Sequence, residues 1–258
     1  MVQAPLTPSR YDSTEFLKKR LQPILKRNQK IMDVGCGKLF FLDFILKTKK
    51  KINYFGIDIS PKTNIKFKKN IKGKIVKKSI LSFNSNKKFD LIVCLWVLEH
   101  IENDMIAQKI MIKHLKSNGY LIIAVPSIWT WPFEFGRHGF HYYSLEAIKK
   151  ISTKEGLAIK ETYRAGGLFG LLFTLAYNWP RFVILVVCFP VYKFLSSTKI
   201  ISTPWSEFSK KVIDSTWYRY HKNPQLVNLH NRIVKAIVRL DNRIKIFPQS
   251  YIIIFQKP

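Results

Sequence analysis

Short apolar runs that alternate with helix-like segments constrain the fold of this chain more than any other feature. Between residues 30 and 126, each run is short enough for one strand and is rich in β-branched or aromatic residues. The runs are Ile31–Val34, Tyr54–Ile57, Lys74–Val76, Phe89–Leu95 and Tyr120–Val125. Alternation of this kind is typical of βαβ units, so we predict an α/β fold with a mainly parallel sheet and flanking helices.

Helical spacing marks the segments that follow these runs. The predicted helices are Leu39–Lys47, Pro61–Asn70, Asn103–Leu115 and Leu145–Lys154. Pro61 would occupy the first turn of its helix, and Ser144 would cap the last one. Two further strands, Leu157–Tyr163 and Tyr251–Gln256, are predicted on either side of a long insertion, so the last residues of the chain complete the sheet.

The insertion before the last strand has roughly 85 residues, whereas an ordinary connection has about five. Its first part, residues 166–195, is strongly apolar and carries Arg181 as its only charge before Lys193. Its second part contains a predicted amphipathic basic helix from Leu226 to Ile244. The apolar face of that helix is formed by Leu226, Leu229, Ile233, Ile237, Leu240 and Ile244. We therefore predict an N-terminal helical segment (1–29), a cofactor-binding domain (30–164), a helical insertion (165–249) and a final strand (250–258).

A glycine turn directly follows the first predicted strand, in Ile31-Met32-Asp33-Val34-Gly35-Cys36-Gly37. A nucleoside cofactor across the carboxyl ends of parallel strands needs close approach of the backbone, which Gly35 and Gly37 permit. Asp58 ends the second predicted strand, where a carboxylate can accept hydrogen bonds from two ribose hydroxyls. A nicotinamide dinucleotide would suit the same arrangement, so these residues alone leave the cofactor open.

Two segments together carry a resemblance to a known family. The run from Asp33 to Gly37 resembles motif I of class I S-adenosylmethionine-dependent methyltransferases. The run from Phe89 to Ile101, with Val97-Leu98-Glu99-His100, is similar to the fourth-strand region of ubiquinone-type (type 11) small-molecule methyltransferases. The resemblance covers about residues 30–164 and the final strand, and it implies a Rossmann-like fold with S-adenosyl-L-methionine as the cofactor.

The resemblance also implies a set of cofactor-binding residues and no metal site. In the family, the acidic residue of motif I, here Asp33, helps to hold the amino-acid end of the cofactor. Leu39 stands where the family usually has a third glycine, and Ser79 stands where many members have an aspartate that binds adenine. The full set is Asp33, Gly35, Cys36, Gly37, Asp58, Ile59, Ser79, Ile80, Leu95 and Glu99.

The acceptor side is expected in the loops after the fourth and fifth strands, where His100, His138 and His141 are candidate general bases. Aromatic residues just before the second loop, Trp129, Trp131 and Phe133, could line an apolar acceptor pocket. The alternative for His100 is a structural hydrogen bond, and the alternative for residues 142–144 is the start of the next helix. The Asn/Asp-Pro-Pro-aromatic motif is missing after strand four, which disfavours amino methylation of nucleic-acid bases.

The chain is strongly basic, with 44 Lys and Arg against 16 Asp and Glu and a net charge of +28. Such a charge attracts polyanions such as nucleic acids and anionic lipid surfaces, although a lysine-rich composition also follows from AT-rich coding. The three cysteines form no disulfide framework or zinc spacing. No secretory signal is recognisable, so we expect the main domain to lie in the cytoplasm.

We therefore predict a methyltransferase for a lipid-like or small hydrophobic acceptor, attached peripherally or monotopically to the inner face of the membrane. Because Pro180 and Arg181 interrupt the apolar part, a shallow helical hairpin or an interfacial segment is favoured over a straight span, and a lid over the acceptor pocket is the alternative. Two other functions stay open: an RNA methyltransferase, from the net charge, and a non-catalytic membrane-associated protein that keeps the fold. The oligomeric state is not predicted.

Overall fold

The computed structural model describes residues 5–37, 39–47, 50–61, 67–133, 139–205, 207–209, 211–212 and 222–258. The chain forms two compact units. The core unit comprises Ser13–Trp131, Gly136–Ala165 and Pro248–Pro258, and the helical unit comprises Met1–Asp12, Pro132–Phe135 and Gly166–Phe247. His138, one of the predicted bases, lies outside the described residues.

A seven-stranded sheet forms the centre of the core unit. Its strands are β1 (Gln29–Val34), β2 (Ile52–Asp58), β3 (Ile71–Lys77), β4 (Phe89–Leu95), β5 (Leu115–Pro126), β6 (Ala158–Ala165) and β7 (Ser250–Gln256). Their order is β3-β2-β1-β4-β5-β7-β6. The pairs among β1 to β5 are parallel, whereas β7 runs antiparallel to both β5 and β6. The predicted Rossmann-like, mainly parallel sheet is confirmed, including its completion by the last residues.

Helices cover the sheet where the spacing predicted them, with one exception. The helices associated with the sheet are α1 (Pro8–Ile24), α2 (Phe40–Leu46), α3 (Asp104–Lys113) and α4 (Leu145–Lys154), and short 3₁₀ turns lie at Ile80–Ser82, Leu98–His100 and Ile128–Phe133. The Ser144 side chain caps α4 by accepting the Ala147 N–H at 3.2 Å.

The exception is the helix predicted over residues 61–70. Pro61 and residues 67–70 are not helical, and residues 62–66 lie outside the described part of the chain. Sheet pairing explains the difference at its end, because the Asn70 carbonyl accepts the Ile52 N–H at 3.0 Å. The prediction was therefore wrong for residues 67–70.

Two apolar layers pack on the two faces of the sheet, because successive strand residues point to opposite sides. On β1, Met32 faces one layer and Ile31 the other. The first layer includes residues of α3 and α4, such as Met111 and Ile148. The second includes residues of α1 and α2, such as Leu17 and Leu42. Burial on both faces explains why the central strands β1, β4 and β7 are mostly apolar runs, whereas the edge strands β3 and β6 are more exposed and more polar.

The helical unit contains two long helices, α5 (Leu168–Ser197) and α6 (Pro224–Ile244). Helix α5 continues through Pro180 and Pro190, so the predicted hairpin is wrong. A proline inside a helix removes one backbone hydrogen bond. A hairpin at the same place would remove all the hydrogen bonds of one helical turn. The chain also has no glycine between residues 171 and 197 to favour a reversal.

A buried carboxylate from α6 caps the start of α5. Asp241 accepts the backbone N–H groups of Phe169 at 2.9 Å and Gly170 at 2.8 Å. A Cβ on Gly167 would lie 2.7 Å from the Asp241 carboxyl carbon, so glycine is needed for this approach. Burial raises the pKa of Asp241, and these N–H groups oppose that effect. The cap joins α5 and α6 through polar contacts as well as packing.

Candidate active site

The carboxyl ends of β1, β2 and β4 meet at one edge of the sheet. After β1 the chain turns to β2 on one side, and β4 returns on the other side of β1. Ligands of open α/β sheets bind at such a switch point. Three segments reach this edge: the glycine turn Gly35–Gly37, Asp58, and Trp96–Glu99.

The two glycines of the turn serve different purposes. Both have positive φ, +70° for Gly35 and +34° for Gly37. A Cβ on Gly35 would lie 2.1 Å from Val97 Cγ2, so this glycine is required by packing against the segment after β4. A Cβ on Gly37 would lie 3.5 Å from Asp58 Oδ2, over the carboxylate itself. Gly35 therefore lets the two loops pack together, while Gly37 places no side chain beside the carboxylate.

We expect Gly35→Ala to lower the free energy of unfolding by about 3 kcal/mol, because the new methyl group overlaps Val97 and the residue is held at positive φ. Urea unfolding followed by circular dichroism measures this. Gly156→Ala is the matched control, because Gly156 has φ +84° but no atom within 4 Å of the added Cβ. It should cost about 1 kcal/mol. Equal losses in the two variants would show that the Val97 contact is unimportant.

The Asp58 carboxylate is held by two backbone donors. Its Oδ2 accepts the Gly37 N–H at 2.8 Å, and its Oδ1 accepts the Ser60 N–H at 2.7 Å. Each carboxylate oxygen has a second lone pair, so one acceptor position remains on each oxygen. Ile59, directly after it, is 71% exposed and offers an apolar surface beside the carboxylate. This pair of oxygens matches the two adjacent hydroxyls of a ribose.

Leu39 adopts the conformation that favours glycine although it is not one. Its φ is 65° and its ψ is 33°, and its N–H donates to the Cys36 carbonyl at 2.6 Å. Its side chain is buried in the same apolar cluster as Ile31 and Phe41. Leu39 thus keeps the left-handed backbone expected of a glycine at this position, and its side chain lies in the core.

Asp33 lies beneath the glycine turn and is buried. Its Oδ2 accepts the Tyr54 hydroxyl at 2.7 Å. Burial raises the pKa of Asp33 to about 7; the nearby Asp58 charge adds to this, and the Tyr54 hydrogen bond opposes it. The carboxyl therefore has a partner inside the core, and its predicted contact with the cofactor stays a prediction.

The raised pKa of Asp33 makes stability depend on pH. Between about pH 4 and pH 7 the folded protein retains a proton that the unfolded chain has released, so the free energy of unfolding falls as pH rises. Between about pH 5 and pH 7.5, the free energy of unfolding should fall by about 2 kcal/mol less in Asp33→Asn than in the unmodified chain. Urea unfolding at both values measures it. An unchanged slope in Asp33→Asn, matching an Asp90→Asn control, would contradict the prediction.

The thiols at this edge are not reactive groups. Burial, together with the Asp33 and Asp58 charges, raises the pKa of Cys36 to about 12. Burial likewise raises the pKa of Cys94 above its usual range. Both thiols therefore stay protonated at neutral pH. Within the described ranges, no group of three His, Cys, Asp or Glu could hold a metal ion.

The remaining predicted cofactor residues lie at the ends of β3 and β4. The Ser79 hydroxyl accepts the Leu81 N–H at 3.2 Å and so begins a 3₁₀ turn. Ile80 is buried in the core, whereas Leu81 is 37% exposed. Leu95 ends β4 and is half-buried. Of the apolar side chains near Ser79, Leu81 is thus the more accessible to a ligand, and nothing in the sequence distinguishes it from Ile80.

On the acceptor side, backbone hydrogen bonds join the loops after β4 and β5. The Glu99 carbonyl accepts the N–H groups of Phe140 at 2.7 Å and His141 at 3.4 Å. The His141 Nε2 lies 3.0 Å from the Glu102 carbonyl oxygen. The Tyr143 hydroxyl donates to Asp104 Oδ2 at 2.9 Å, and burial raises the pKa of Tyr143. The structure thus brings His141 to the segment that contains Glu99 and His100.

The tautomer of His141 follows from its carbonyl partner. Because a carbonyl oxygen only accepts, the neutral ring carries its proton on Nε2 and its lone pair on Nδ1. A histidine held in this way can accept a proton at Nδ1. His100 is exposed, and its backbone N–H donates to the Val97 carbonyl at 2.9 Å.

The aromatic residues predicted for an acceptor pocket are largely exposed. Trp129 is 46% exposed and Trp131 is 66% exposed, and the side chain of Phe133 is not among those described. Phe140, beside His141, is 64% exposed. These residues form an accessible apolar surface in the core unit.

Trp96, which was not among the predicted site residues, lies at this edge of the sheet. It has φ +55°, an uncommon conformation for an aromatic residue, directly after β4. Its ring lies edge-on to Phe40 at the start of α2, with centroids 5.7 Å apart. Strained backbone of this kind is concentrated at binding sites. Its position in the Leu95–Leu98 run could have drawn attention to it, but only the fold shows its conformation.

A family model described as a methyltransferase domain matches residues 10–162, more than half of the chain. The chain belongs to the methyltransferase-domain family. The family match confirms the predicted class, an S-adenosylmethionine-dependent methyltransferase, at the level of the family. The residues fit that cofactor, because Asp58 has two acceptor positions left and Gly37 places no side chain over them.

Individual relatives of this methyltransferase are distant. A ubiquinone biosynthesis O-methyltransferase of Rickettsia typhi is 28% identical over 169 residues, which are 57% of this chain and 65% of the relative. The chain thus spans slightly less than two thirds of that relative's length.

Solved structures with the same fold are more distant still. A SAM-dependent methyltransferase from Archaeoglobus fulgidus has a TM-score of 0.50 at 18% identity, with 94% of both chains covered. The cyclase SpnF has a TM-score of 0.53 at 12% identity, with 100% of this chain and 87% of SpnF covered. At these identities the likeness concerns the fold alone.

Proposed function

We propose that this methyltransferase transfers a methyl group from S-adenosylmethionine to an oxygen of a lipid-like or small hydrophobic acceptor at a membrane surface. The observation that carries the donor half is the Asp58 carboxylate, held by two backbone N–H groups under an open glycine. Bound S-adenosylmethionine supplies an electrophilic methyl group. The residues around it need to orient donor and acceptor and to exclude water.

His141 is the proposed base for a hydroxyl acceptor. A new carbon–oxygen bond forms as the carbon–sulfur bond of the donor breaks, and the acceptor proton passes to His141 Nδ1. The hydrogen bond from Nε2 to the Glu102 carbonyl holds the ring in the tautomer that leaves this lone pair available. In this scheme the base is the imidazole of His141, so neither a metal-bound hydroxide nor a thiolate is required.

The apolar surface beside His141 supports a hydrophobic acceptor. Ile128, Trp129, Trp131 and Phe140 are each at least 46% exposed. Apolar side chains that remain exposed around a catalytic loop are suited to binding an apolar molecule. The Rickettsia relative is named for O-methylation in ubiquinone biosynthesis, which agrees with an oxygen acceptor.

Helix α5 supports location at a membrane. Among the described residues it is the one helix long and apolar enough to span a bilayer, with a mean hydropathy of 1.6 over its most apolar 18-residue window. None of that window is buried, whereas the apolar face of a core helix would be. At about 1.5 Å per residue its length exceeds the ~30 Å hydrocarbon layer, so it is long enough to enter that layer deeply.

Transfer of radiolabel from the methyl group of S-adenosylmethionine tests this function. The full chain is incubated separately with total membrane lipids and with total RNA, and the Asp58→Ala variant serves as the blank. We expect label in the organic phase of the lipid reaction only. Label in RNA would instead establish an RNA methyltransferase. Absence of both label and donor binding would establish a non-catalytic protein with this fold.

A further inference from the structure

Helix α6 has two apolar faces, and only one of them packs inside the helical unit. The buried face includes Val227, Val234 and Val238. The other face is an exposed apolar stripe, formed by residues whose spacing predicted the apolar face of this helix. The stripe consists of Leu226 (42% exposed), Leu229 (56%), Ile233 (42%), Leu240 (46%) and Ile244 (48%). The structure therefore leaves uncovered the face that the sequence pattern marks most clearly.

Polar contacts fix the rotation of α6 about its axis. His230 Nε2 lies 2.7 Å from the Leu6 carbonyl oxygen, and Asn231 Oδ1 accepts the Leu6 N–H at 2.8 Å. Near the other end, Asp241 caps α5. Turning the apolar stripe inward would break all of these contacts and expose buried polar groups. The stripe is thus held outward by the fold.

A basic row lies beside the apolar stripe on the exposed surface of α6. It consists of Arg232, Lys235, Arg239 and Arg243, all exposed. The only acidic residue of this helix is Asp241, which is buried. The exposed surface of α6 therefore combines apolar side chains with positive charge and presents no carboxylate of its own.

We propose that α6 lies in the headgroup layer of an anionic lipid bilayer. The apolar stripe enters the boundary with the acyl chains, and the basic row contacts lipid phosphates. The inference rests on the membrane location in the proposed function and deepens it by naming the lipid class and the docking surface. It uses residues of the helical unit only, separate from the donor site.

Charge and spacing favour a bilayer over other occupants. A second copy of α6 would bring two basic rows together, which is unfavourable. Leu226, Ile233 and Leu240 recur every seven residues, as in a coiled coil. Ala236 and Arg243 stand at the second apolar position of that repeat, however, so the seam of a coiled coil would be interrupted. A nucleic acid would contact the basic row but leave the apolar stripe in water.

Vesicle cosedimentation of the full chain tests the proposal. One set of vesicles is phosphatidylcholine, and the other contains about 30% phosphatidylglycerol, enough to give a negative surface potential. We expect R232Q/R239Q/R243Q to weaken binding to the anionic vesicles about 100-fold while binding to phosphatidylcholine changes little. The control K69Q/K72Q/K74Q removes the same charge from exposed positions of the core unit and should stay within about 3-fold of wild type.

A second variant tests the apolar stripe. L229Q/I233Q/L240Q changes exposed residues only, and we expect it to weaken binding to both kinds of vesicle at least 10-fold. For the unmodified chain, added salt should weaken binding to anionic vesicles only. This salt dependence is measured on the unmodified chain, so it tests the proposal even if a variant folds poorly.

Three results would overturn the proposal. The basic-row variant and its lysine control could lose equal affinity for anionic vesicles. RNA affinity could fall further than vesicle affinity when the basic row is removed, which would assign α6 to nucleic acid. The stripe variant could turn a dimer into a monomer and leave vesicle binding intact, which would assign α6 to a second copy.

Donor titrations separate this proposal from the proposed function. All α6 variants should bind S-adenosylhomocysteine as the unmodified chain does, because none of the altered residues lies in the core unit. Conversely, Asp58→Ala should keep its binding to anionic vesicles. Loss of lipid docking and loss of methyl transfer are thus measured independently.

Discussion

Replacement of Asp58 by alanine is expected to lower the affinity for S-adenosylmethionine about 1,000-fold. The carboxylate offers two charge-assisted hydrogen bonds to the ribose, each worth about 1.5 to 3 kcal/mol. It also holds the glycine turn through the Gly37 N–H at 2.8 Å. Isothermal titration with S-adenosylhomocysteine measures the loss, and initial rates of methyl transfer should fall with it.

Asp90→Ala is the matched control for Asp58→Ala. Asp90 also accepts a backbone N–H from another strand, that of Lys30 at 2.7 Å, but it lies near the amino end of β4. It is therefore at the edge of the sheet opposite the donor site, and its removal should leave donor affinity within about 2-fold of the unmodified chain. If Asp58→Ala and Asp90→Ala bind donor equally well, the carboxyl end of β2 is not the ribose site.

His141→Gln is expected to lower kcat about 100-fold at neutral pH without changing donor affinity. Removal of a general base costs about 100- to 10,000-fold, and the lower value suits a displacement whose electrophile is already activated. Glutamine can still donate a hydrogen bond to the Glu102 carbonyl, so the loop after β5 should keep its position. The acidic limb of the pH–rate profile should disappear in this variant.

His100→Gln discriminates between the two described histidines of the acceptor side. If His141 is the base, His100→Gln should retain the pH profile of the unmodified enzyme. Loss of the acidic limb in His100→Gln, together with normal behaviour of His141→Gln, would transfer the role to His100. Unchanged rates in both variants would show that neither histidine is needed as a base.

The structural neighbours show why function has to be inferred from the residues of the site and not from the fold. The cyclase SpnF shares the fold over the whole of this chain, yet its name states a different reaction. A shared architecture therefore constrains where a ligand binds more than what happens to it. The donor half of the present proposal rests on Asp58 and its two backbone donors, and the acceptor half rests on His141 and its loop.

The two parts of the chain differed in how far their sequence predicted their structure. In the core unit, the apolar runs predicted all seven strands, although β3 and β5 begin earlier than predicted, at Ile71 and Leu115. In the helical unit, periodicity predicted α6 and its apolar face but did not indicate which face packs within the unit. The contacts of His230, Asn231 and Asp241 decided that orientation, and they join residues that are far apart in sequence.

The sequence by itself determined the sheet, the glycine turn and the acidic residue after β2, because each depends on local spacing along a few residues. Only the tertiary structure decided that Gly35 is required by Val97, that Asp33 is paired with Tyr54, and that α5 runs unbroken through two prolines. These features depend on which distant side chains become neighbours. The packing of whole helices and strands decides which distant side chains meet. A short stretch of sequence does not contain that information.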